Sequence, residues 1–399
     1  MTRICILGGG FGGLYTALSL ARLPWAVSPE IILIDKSDHF LFTPFLYELV
    51  TGEMQEWEIA PTFAELLVDT GIQFVQGLVT NIDFVTKHVE VNIGQRSTIA
   101  YDRLVLAIGG ETPMDLVDGA AEYAIPFRNL NDFYRLNSKL ELLEVSSRDK
   151  IRVCIAGGGS SGVELACKIA DRLQTRAEDR GRVRLVDRNP QILANSTDAN
   201  RKIAEFALSQ RGVWTDINTR VSQISEGSIT LDYADGRDTL PIDLLLWTVG
   251  STFSKMLQNL PVEHNRQGAI ATESTLQVKG YTDVFAIGDI ASIENYEPHL
   301  PATAQVAFQQ SQYCAWNIWA SLNQKPLVNF SYIPLGEFIS LGVDGAVASI
   351  LGKFSIDGLP AHAMRRFAYL LRMPTLQHQW KLGTYWLTKP LVEILRKSI

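Results

Sequence analysis

Six glycines in two groups are the first residues whose type and spacing point to chemistry. In "ICILGGGFGGLYTALSLARL", Gly8, Gly10 and Gly13 fit G-x-G-x-x-G between an apolar run, Ile4 to Leu7, and a helical pattern. In "IRVCIAGGGSSGVELACKIADRL", Gly157, Gly159 and Gly162 repeat the spacing. The first glycine makes a tight turn, the second lets a pyrophosphate approach the backbone, and the third lets the helix pack on the strand. The helix N-terminus then turns the positive end of its dipole to the phosphates. An acid closes the next strand each time. Asp35 ends "EIILID" 22 residues after Gly13, and Asp187 ends "VRLVD" 25 residues after Gly162. A carboxylate there accepts hydrogen bonds from ribose hydroxyls. One such turn says little alone. Two, each between strand and helix and each with its acid, predict two dinucleotide-binding folds.

The elements that must position these residues follow. The second turn begins 149 residues after the first, so the first fold is interrupted and its closing strand lies beyond the second. "VFAIGD", Val284–Asp289, supplies that closure. "LLLWTVGS" ends the second fold, and Thr248, Val249 and Gly250 are small enough to let a cofactor pass. The expected fold class is α/β: two Rossmann-like dinucleotide-binding domains, the second inserted into the first, followed by a C-terminal segment. Directly after "VFAIGD" comes "PATAQVAFQQSQYCAW". Read as a helix starting near Pro301, a residue favoured at the first helical position, it sets Gln305 and Gln309 one turn apart with Ala304 and Ala307 small beside them. That face is either solvated or part of a site.

Composition narrows the class. The chain has 399 residues, 46% of them hydrophobic, enough for two domains with cores and a tail. Its net charge of −7 provides no basic field for nucleic acid. The charge is uneven, however. Residues 361–399 hold seven basic side chains (Arg365, Arg366, Arg372, Lys381, Lys389, Arg396 and Lys397) against Glu393, a net +6 that leaves −13 on the rest. Phe367, Tyr369, Trp380, Tyr385 and Trp386 interleave with those cations, a pattern expected of a segment lying in a membrane interface or packing on a partner. Before them, "FSYIPLGEFISLGVDGAVASILGKFSI" reads as β-rich. No apolar run reaches the roughly 18 residues of a spanning helix, and the chain opens on a strand rather than a signal peptide. Cys5, Cys154, Cys167 and Cys314 are scattered without C-x-x-C, which implies no disulfides and a reducing compartment.

With these motifs the chain resembles the two-dinucleotide-binding flavoproteins and, within them, the type II NAD(P)H:quinone oxidoreductases. The resemblance covers essentially the whole chain. It rests on both glycine turns, "DHFLFTPFLYELVTG", "YDRLVLAIGG", "LLLWTVGS", "VFAIGDIA" and "AQVAFQ", which fits A-Q-x-A-x-Q. It implies FAD in residues 1–112 and 271–328, NADH or NADPH in 113–270, and a membrane-associating region over 329–399. It implies hydride transfer from NAD(P)H to flavin, then two electrons to a membrane quinone without proton pumping. The tail is similar to the cyanobacterial and chloroplast branch, which points to demethylphylloquinone or plastoquinone. The implied catalytic residues are Glu164, placed in the first turn of its helix, and Gln305 and Gln309 against the quinone. The cofactor-binding candidates are Gly8, Gly10, Phe11, Gly12, Gly13, Asp35, Lys36, Thr43, Val79, Ala107, Gly109, Gly157, Gly159, Gly162, Asp187, Arg188, Val249, Gly250, Gly288, Asp289 and Ala304. Asp187 suits the 2′-hydroxyl of NADH and Arg188 the 2′-phosphate of NADPH. The implied setting is a peripheral membrane protein on the cytoplasmic or stromal side, with a homodimer through the tail.

Four other readings share the fold. Disulfide reductases need a cysteine pair near the first helix, and residues 36–60 hold no cysteine. Sulfide:quinone oxidoreductases need cysteines lining the flavin, and Cys167 and Cys314 make no convincing pair. A ferredoxin-type reductase or a redox-sensing flavoprotein would keep both folds.

Overall fold

The strand Arg3–Leu7 lies between two parallel neighbours, Glu30–Asp35 and Arg103–Leu106. Ile72–Gln76 and Val284–Ala286 complete a five-stranded parallel sheet with the Val284 strand at one edge. Ile4, Cys5, Ile6 and Leu7 are all fully buried, as a strand covered on both faces requires. The expected closure by "VFAIGD" is therefore what the chain does, with Val284 opposite Leu104. The helices Phe11–Ala21 and Ala304–Leu322 pack together, and the Thr16 hydroxyl donates to the Gly12 carbonyl at 2.8 Å. The computed structural model describes residues 1–297, 299–350 and 354–397, with backbone alone for 390–397. The side chains of Glu393, Arg396 and Lys397, counted above in the tail charge, lie outside the described residues.

A second five-stranded parallel sheet has the order Trp214–Asp216, Gly181–Val186, Ile151–Ala156, Leu244–Trp247, Ala124–Pro126. The helix Ser160–Arg176 follows its central strand, as the helix Phe11–Ala21 follows the central strand of the first sheet. Three antiparallel sheets of three strands each are appended, at 78–100, 220–241 and 336–357.

The chain forms two compact units. The first is Met1–Leu41, Ala60–Glu111 and Thr252–Ile333; the second is Phe42–Ile59, Thr112–Ser251 and Pro334–Ile399. The insertion of one dinucleotide fold into the other matches the expected class. The boundaries differ from the expected segments in three places: residues 252–270 join the first unit, while 42–59 and the C-terminal region both join the second.

Packing inside the second unit explains the last difference. The C-terminal sheet Gly336–Ser340, Ala346–Ile350 and Phe354–Asp357 leads into the helices Gly358–Leu370 and Leu376–Lys397. Tyr369 sets its ring centroid 5.4 Å from Phe42 and 5.2 Å from Phe45. The Trp386 indole donates to Glu58 Oε1 at 2.7 Å. Arg365 corrects the sequence reading. Expected among the surface cations, it is 1% exposed, pairs with Glu48, and lies over the rings of Phe45 and Tyr369. A planar guanidinium stacks on aromatic faces and bonds a carboxylate in one geometry, which lets it be buried. Tyr369 and Trp386 likewise turn inward, leaving Leu359, Phe367, Leu371, Leu376, Trp380 and Leu387 as the large apolar side chains exposed here among the described residues.

Candidate dinucleotide and redox sites

The first glycine turn is built by close approach. Gly8 has φ +99° and donates its N–H to the Ile34 carbonyl at 2.8 Å. A Cβ on Gly13 would lie 1.8 Å from the Gly8 carbonyl oxygen, so only glycine fits. The Gly9 N–H donates to Asp35 Oδ2 at 2.6 Å and the Ser37 N–H to Oδ1 at 2.8 Å. Each carboxylate oxygen keeps a lone pair for a ribose hydroxyl. Gly10 caps the helix Phe11–Ala21 with no side-chain hydrogen bond, and no atom would crowd a Cβ there within 4 Å. The Gly10 cap thus borders open space and the first turn holds no acid, as a phosphate site needs.

The second unit repeats this turn almost atom for atom. Gly157 has φ +109° and donates to the Val186 carbonyl at 2.8 Å. A Cβ on Gly162 would lie 1.7 Å from the Gly157 carbonyl oxygen. Gly158 N–H bonds Asp187 Oδ2, and Asn189 N–H bonds Oδ1 at 2.7 Å. Gly159 caps the helix without a side-chain bond and opens on free space. Thr248 closes the turn, its hydroxyl donating to the Ala156 carbonyl at 2.8 Å. Val249 is half-buried, while Gly250 and Arg188 are exposed.

The remaining candidates separate. Ala107, buried, donates its N–H to the Leu7 carbonyl at 2.8 Å, and Gly109 has φ +76°. A Cβ on Gly12 would sit 3.1 Å from Ile287 Cδ1. Phe11 meets Phe40 edge to face at 5.2 Å. Lys36 is exposed, and Val79 is half-buried in the appended sheet Leu78–Asp83. Thr43 is exposed and belongs to the second unit, whereas the other expected flavin residues belong to the first. Asp289 is half-buried beside Gly288, whose φ is +76°.

Gln310 escaped the sequence reading. Its Oε1 accepts from the Gly288 N–H at 2.7 Å, it is fully buried, and its Nε2 has no partner among the described residues. A buried unpaired donor beside the Gly288–Asp289 turn is what a bound acceptor would satisfy. Helical spacing could have found it, because Val306, Ala307, Gln310, Ser311 and Cys314 form the buried face.

The helix expected to start near Pro301 starts at Ala304. Thr303 is its cap, with the hydroxyl accepting from Val306 N–H at 3.3 Å, and Pro301 lies outside it. Gln305 Oε1 accepts from the Tyr332 hydroxyl at 2.7 Å. Gln309 clamps a backbone: Nε2 donates to the Ile333 carbonyl at 2.8 Å and Oε1 accepts its N–H at 3.0 Å. Its amide is thereby committed within the fold. Ala304 is half-buried and Ala307 buried.

Glu164 lies in the second turn of the helix Ser160–Arg176, whose first turn contains no acid. Dipole complementarity therefore does not explain it. It is 7% exposed, accepts from Ser340 N–H at 2.7 Å, and lies 3.9 Å from Arg365 Nη2. Burial pushes its carboxyl up to about 7, against the pull of Arg365 and the Ser340 N–H. The nearby Tyr47 hydroxyl donates to Ser161 Oγ at 2.9 Å.

The four cysteines are sealed. None is more than 1% exposed, and burial pushes the thiols of Cys5, Cys154 and Cys167 up to about 12 and that of Cys314 further. Neutral buried thiols are inert.

Two dinucleotide folds with uncapped glycine turns, and no thiol available for exchange, define an oxidoreductase that works on bound nucleotides. The family pattern described as pyridine nucleotide-disulphide oxidoreductase matches residues 2–311, and the chain belongs to that family. A demethylphylloquinone reductase of Synechocystis is 50% identical, over 99% of this chain and 98% of its own. An alternative NAD(P)H-ubiquinone oxidoreductase C1, chloroplastic/mitochondrial, of Arabidopsis thaliana is 39% identical, over 98% of this chain and 81% of its own. The solved NDH2 of Plasmodium falciparum in complex with NADH shares the fold, with a TM-score of 0.86, 16% identity and 98% of each chain covered. Within the family the chain is a type II NAD(P)H:quinone oxidoreductase, an enzyme dependent on flavin and pyridine nucleotide.

Proposed function

We propose that the chain oxidises NAD(P)H and reduces a prenylated membrane quinone of the demethylphylloquinone or plastoquinone kind, without pumping protons. FAD, when bound, supplies the two-electron chemistry that links a hydride donor to a quinone. The carrying observation is the duplicated turn combined with sealed cysteines. Each unit presents a phosphate-ready helix and an anchored carboxylate, and no thiol can act as an intermediate carrier.

The chain's own residues then have the following roles. Gly8, Gly10 and Gly13 admit a pyrophosphate at the N-terminus of Phe11–Ala21. Asp35 accepts from the ribose of the flavin nucleotide. Gly157, Gly159, Gly162 and Asp187 do the same for the nicotinamide nucleotide. Gln310 holds the Gly288 turn and keeps one donor for the cofactor. Ala304 and Ala307 keep the helix surface flat, and Gln305 provides an uncharged amide beside Tyr332. Glu164 holds or releases a proton near neutral pH, and quinone reduction consumes two protons against the one hydride of NAD(P)H.

No helix among the described residues is long and apolar enough to cross a membrane. The exposed Phe367, Leu371, Leu376, Trp380 and Leu387 support a tail that lies on a membrane surface, where its quinone resides. A second copy on the same face is the competing occupant. Light scattering with and without anionic vesicles separates the two.

The test is anaerobic stopped-flow on the FAD-loaded protein. NADH or NADPH should bleach the visible flavin band, and a naphthoquinone or benzoquinone analogue should restore it within the turnover time. Bleaching without reoxidation by either quinone defeats the proposal and leaves ferredoxin reduction or redox sensing.

A further inference from the structure

The loop that follows the second acid-ended strand begins and ends on the same glycine. The Asp187 carboxylate holds the N–H groups of Gly158 and Asn189. The chain then runs through the exposed Arg188, Asn189 and Pro190 and returns at Leu193, whose N–H donates to the Gly158 carbonyl at 2.8 Å. Leu193 has φ +49°, a left-handed conformation that a bulky side chain adopts only where its surroundings impose it. Ile192 and Leu193 are buried, and a Cβ on Gly158 would stand 3.2 Å from Ile192 Cγ2 and 3.0 Å from Asp187 Oδ2. The loop therefore packs directly on the glycine turn, beside the carboxylate that suits an adenosine ribose.

Part of what imposes this shape comes from the far end of the chain. Arg201, on the helix Asp198–Gln210, donates Nε to the Ile192 carbonyl at 3.1 Å and Nη2 to the Ser196 carbonyl at 3.2 Å. Glu337, on the strand Gly336–Ser340, reaches the same segment from 141 and 137 positions away. Its Oε2 accepts from the Ser196 hydroxyl and from Asn200 Nδ2, the latter at 3.1 Å. Both donors are neutral, and a carboxylate accepts from them more strongly than an uncharged oxygen would. Asn200 is fully buried, and its Oδ1 accepts from the Ser355 hydroxyl at 3.3 Å, so two strands of the C-terminal sheet grip it. Gly336 fixes where Glu337 starts: at φ +131°, a Cβ there would stand 2.1 Å from the Ser349 carbonyl oxygen.

We infer that Glu337 is a positioning residue for the nicotinamide nucleotide. By holding Ser196 and Asn200 it fixes the loop 188–197, and through Leu193 and Gly158 it fixes the Asp187 carboxylate. A residue of the C-terminal sheet thereby sets the affinity for the adenosine half of NAD(P)H without contacting the nucleotide itself. The inference rests on the reading of the second glycine turn as the NAD(P)H site. Hydride leaves from the nicotinamide end, so the effect falls on binding rather than on the limiting rate.

The test is calorimetric titration of NAD+ and NADP+, which do not reduce flavin, into the full-length, FAD-loaded protein, joined to stopped-flow reduction by NADH and NADPH. Glu337→Ala should weaken binding about tenfold, the effect of losing two hydrogen bonds. The limiting rate of flavin reduction should stay within about twofold of wild type. Glu337→Gln keeps one acceptor and should recover most of the affinity. Ser196→Ala removes the loop's side of the contact and should weaken binding in the same direction. The double variant should lose less affinity than the product of the two single losses, as coupled residues do. Unchanged affinity in Glu337→Ala, or matching losses of affinity, limiting rate and flavin content, overturns the role. Nucleotide binding that survives Gly162→Ala shows instead that the second turn is not the site, and the role of Glu337 falls with that reading.

Discussion

Glu48 and Arg365 stand 317 positions apart in sequence and form an ion pair in which neither side chain is more than 1% exposed. Arg365 also donates to the Pro44 carbonyl, and Lys168, fully buried, lies 3.9 Å from the same Glu48 oxygen. Breaking such a pair by removing Arg365 leaves the buried Glu48 carboxylate with the more distant Lys168, itself bonded to Glu53, as its cation. Arg365→Gln should therefore destabilise the protein by roughly 3–5 kcal/mol. Arg365→Lys should lose less of the charge but also lose the ring stacking on Phe45 and Tyr369. Denaturant midpoints for wild type and the two variants check the order; equal midpoints would show the pair to be incidental.

Glu164 governs a distinct pH window. Its folded carboxyl lies at about 7, above the ordinary 4.5. The folded state therefore holds a proton that the unfolded chain releases, and stability falls as pH rises from about 4.5 to about 7. Glu48 acts oppositely and lower. Arg365 and Lys168 hold it below the carboxylate range against its burial, so its contribution is lost only as pH falls. Glu164→Gln should flatten the stability profile between pH 5 and 7 relative to wild type and remove any inflection of turnover near neutrality. An unchanged profile in both measurements would remove Glu164 from proton handling.

The two glycine turns should fail independently. Gly13→Ala drives a methyl into the Gly8 carbonyl and should yield protein that no longer retains flavin. Gly162→Ala does the same at Gly157 and should leave the flavin bound while abolishing its reduction by NAD(P)H. Visible spectra before and after adding nucleotide distinguish them. Loss of flavin from both variants would mean that the turns serve folding rather than separate nucleotides.

Asp187 is expected to bias the choice of nicotinamide nucleotide. Its carboxylate would repel a 2′-phosphate, and the exposed Arg188 stands beside it. Asp187→Asn removes the charge and keeps one acceptor, enough for one of the two N–H groups, of Gly158 and Asn189, that the carboxylate holds. The ratio of kcat/KM for NADPH over NADH should rise about tenfold, equivalent to roughly 1.4 kcal/mol. Steady-state kinetics with both nucleotides measures it directly; a constant ratio would place discrimination elsewhere.

What the sequence made legible was local. Gly8, Gly13 and Asp35 act within one strand–turn–helix unit, so spacing alone reports the close contacts that demand them. The same holds for Gly157, Gly162 and Asp187, and the closing strand at Val284 follows once the interruption is recognised. What stayed hidden depends on distant partners. Arg365 reads as a surface cation until Glu48, Phe45 and Tyr369 surround it. The clamp of the Gln309 amide on Ile333 depends on a backbone 24 residues further on, which helical spacing does not report. The start of the Ala304 helix was misplaced by three residues because Pro301 and Thr303 both carry helix-start signals, and the Thr303 hydroxyl decides between them.

The chain order of the second unit sets a timetable on the ribosome. At about 5–20 residues per second, Glu48 is made roughly 15–60 s before Arg365. During that interval Glu48, and later Lys168, exist without the guanidinium that completes their cluster, and for part of it the first sheet also waits for Val284–Ala286. A nascent chain therefore holds two half-built nucleotide folds at once. Release of the last helices, rather than translation of either glycine turn, is the event that lets the second unit finish folding.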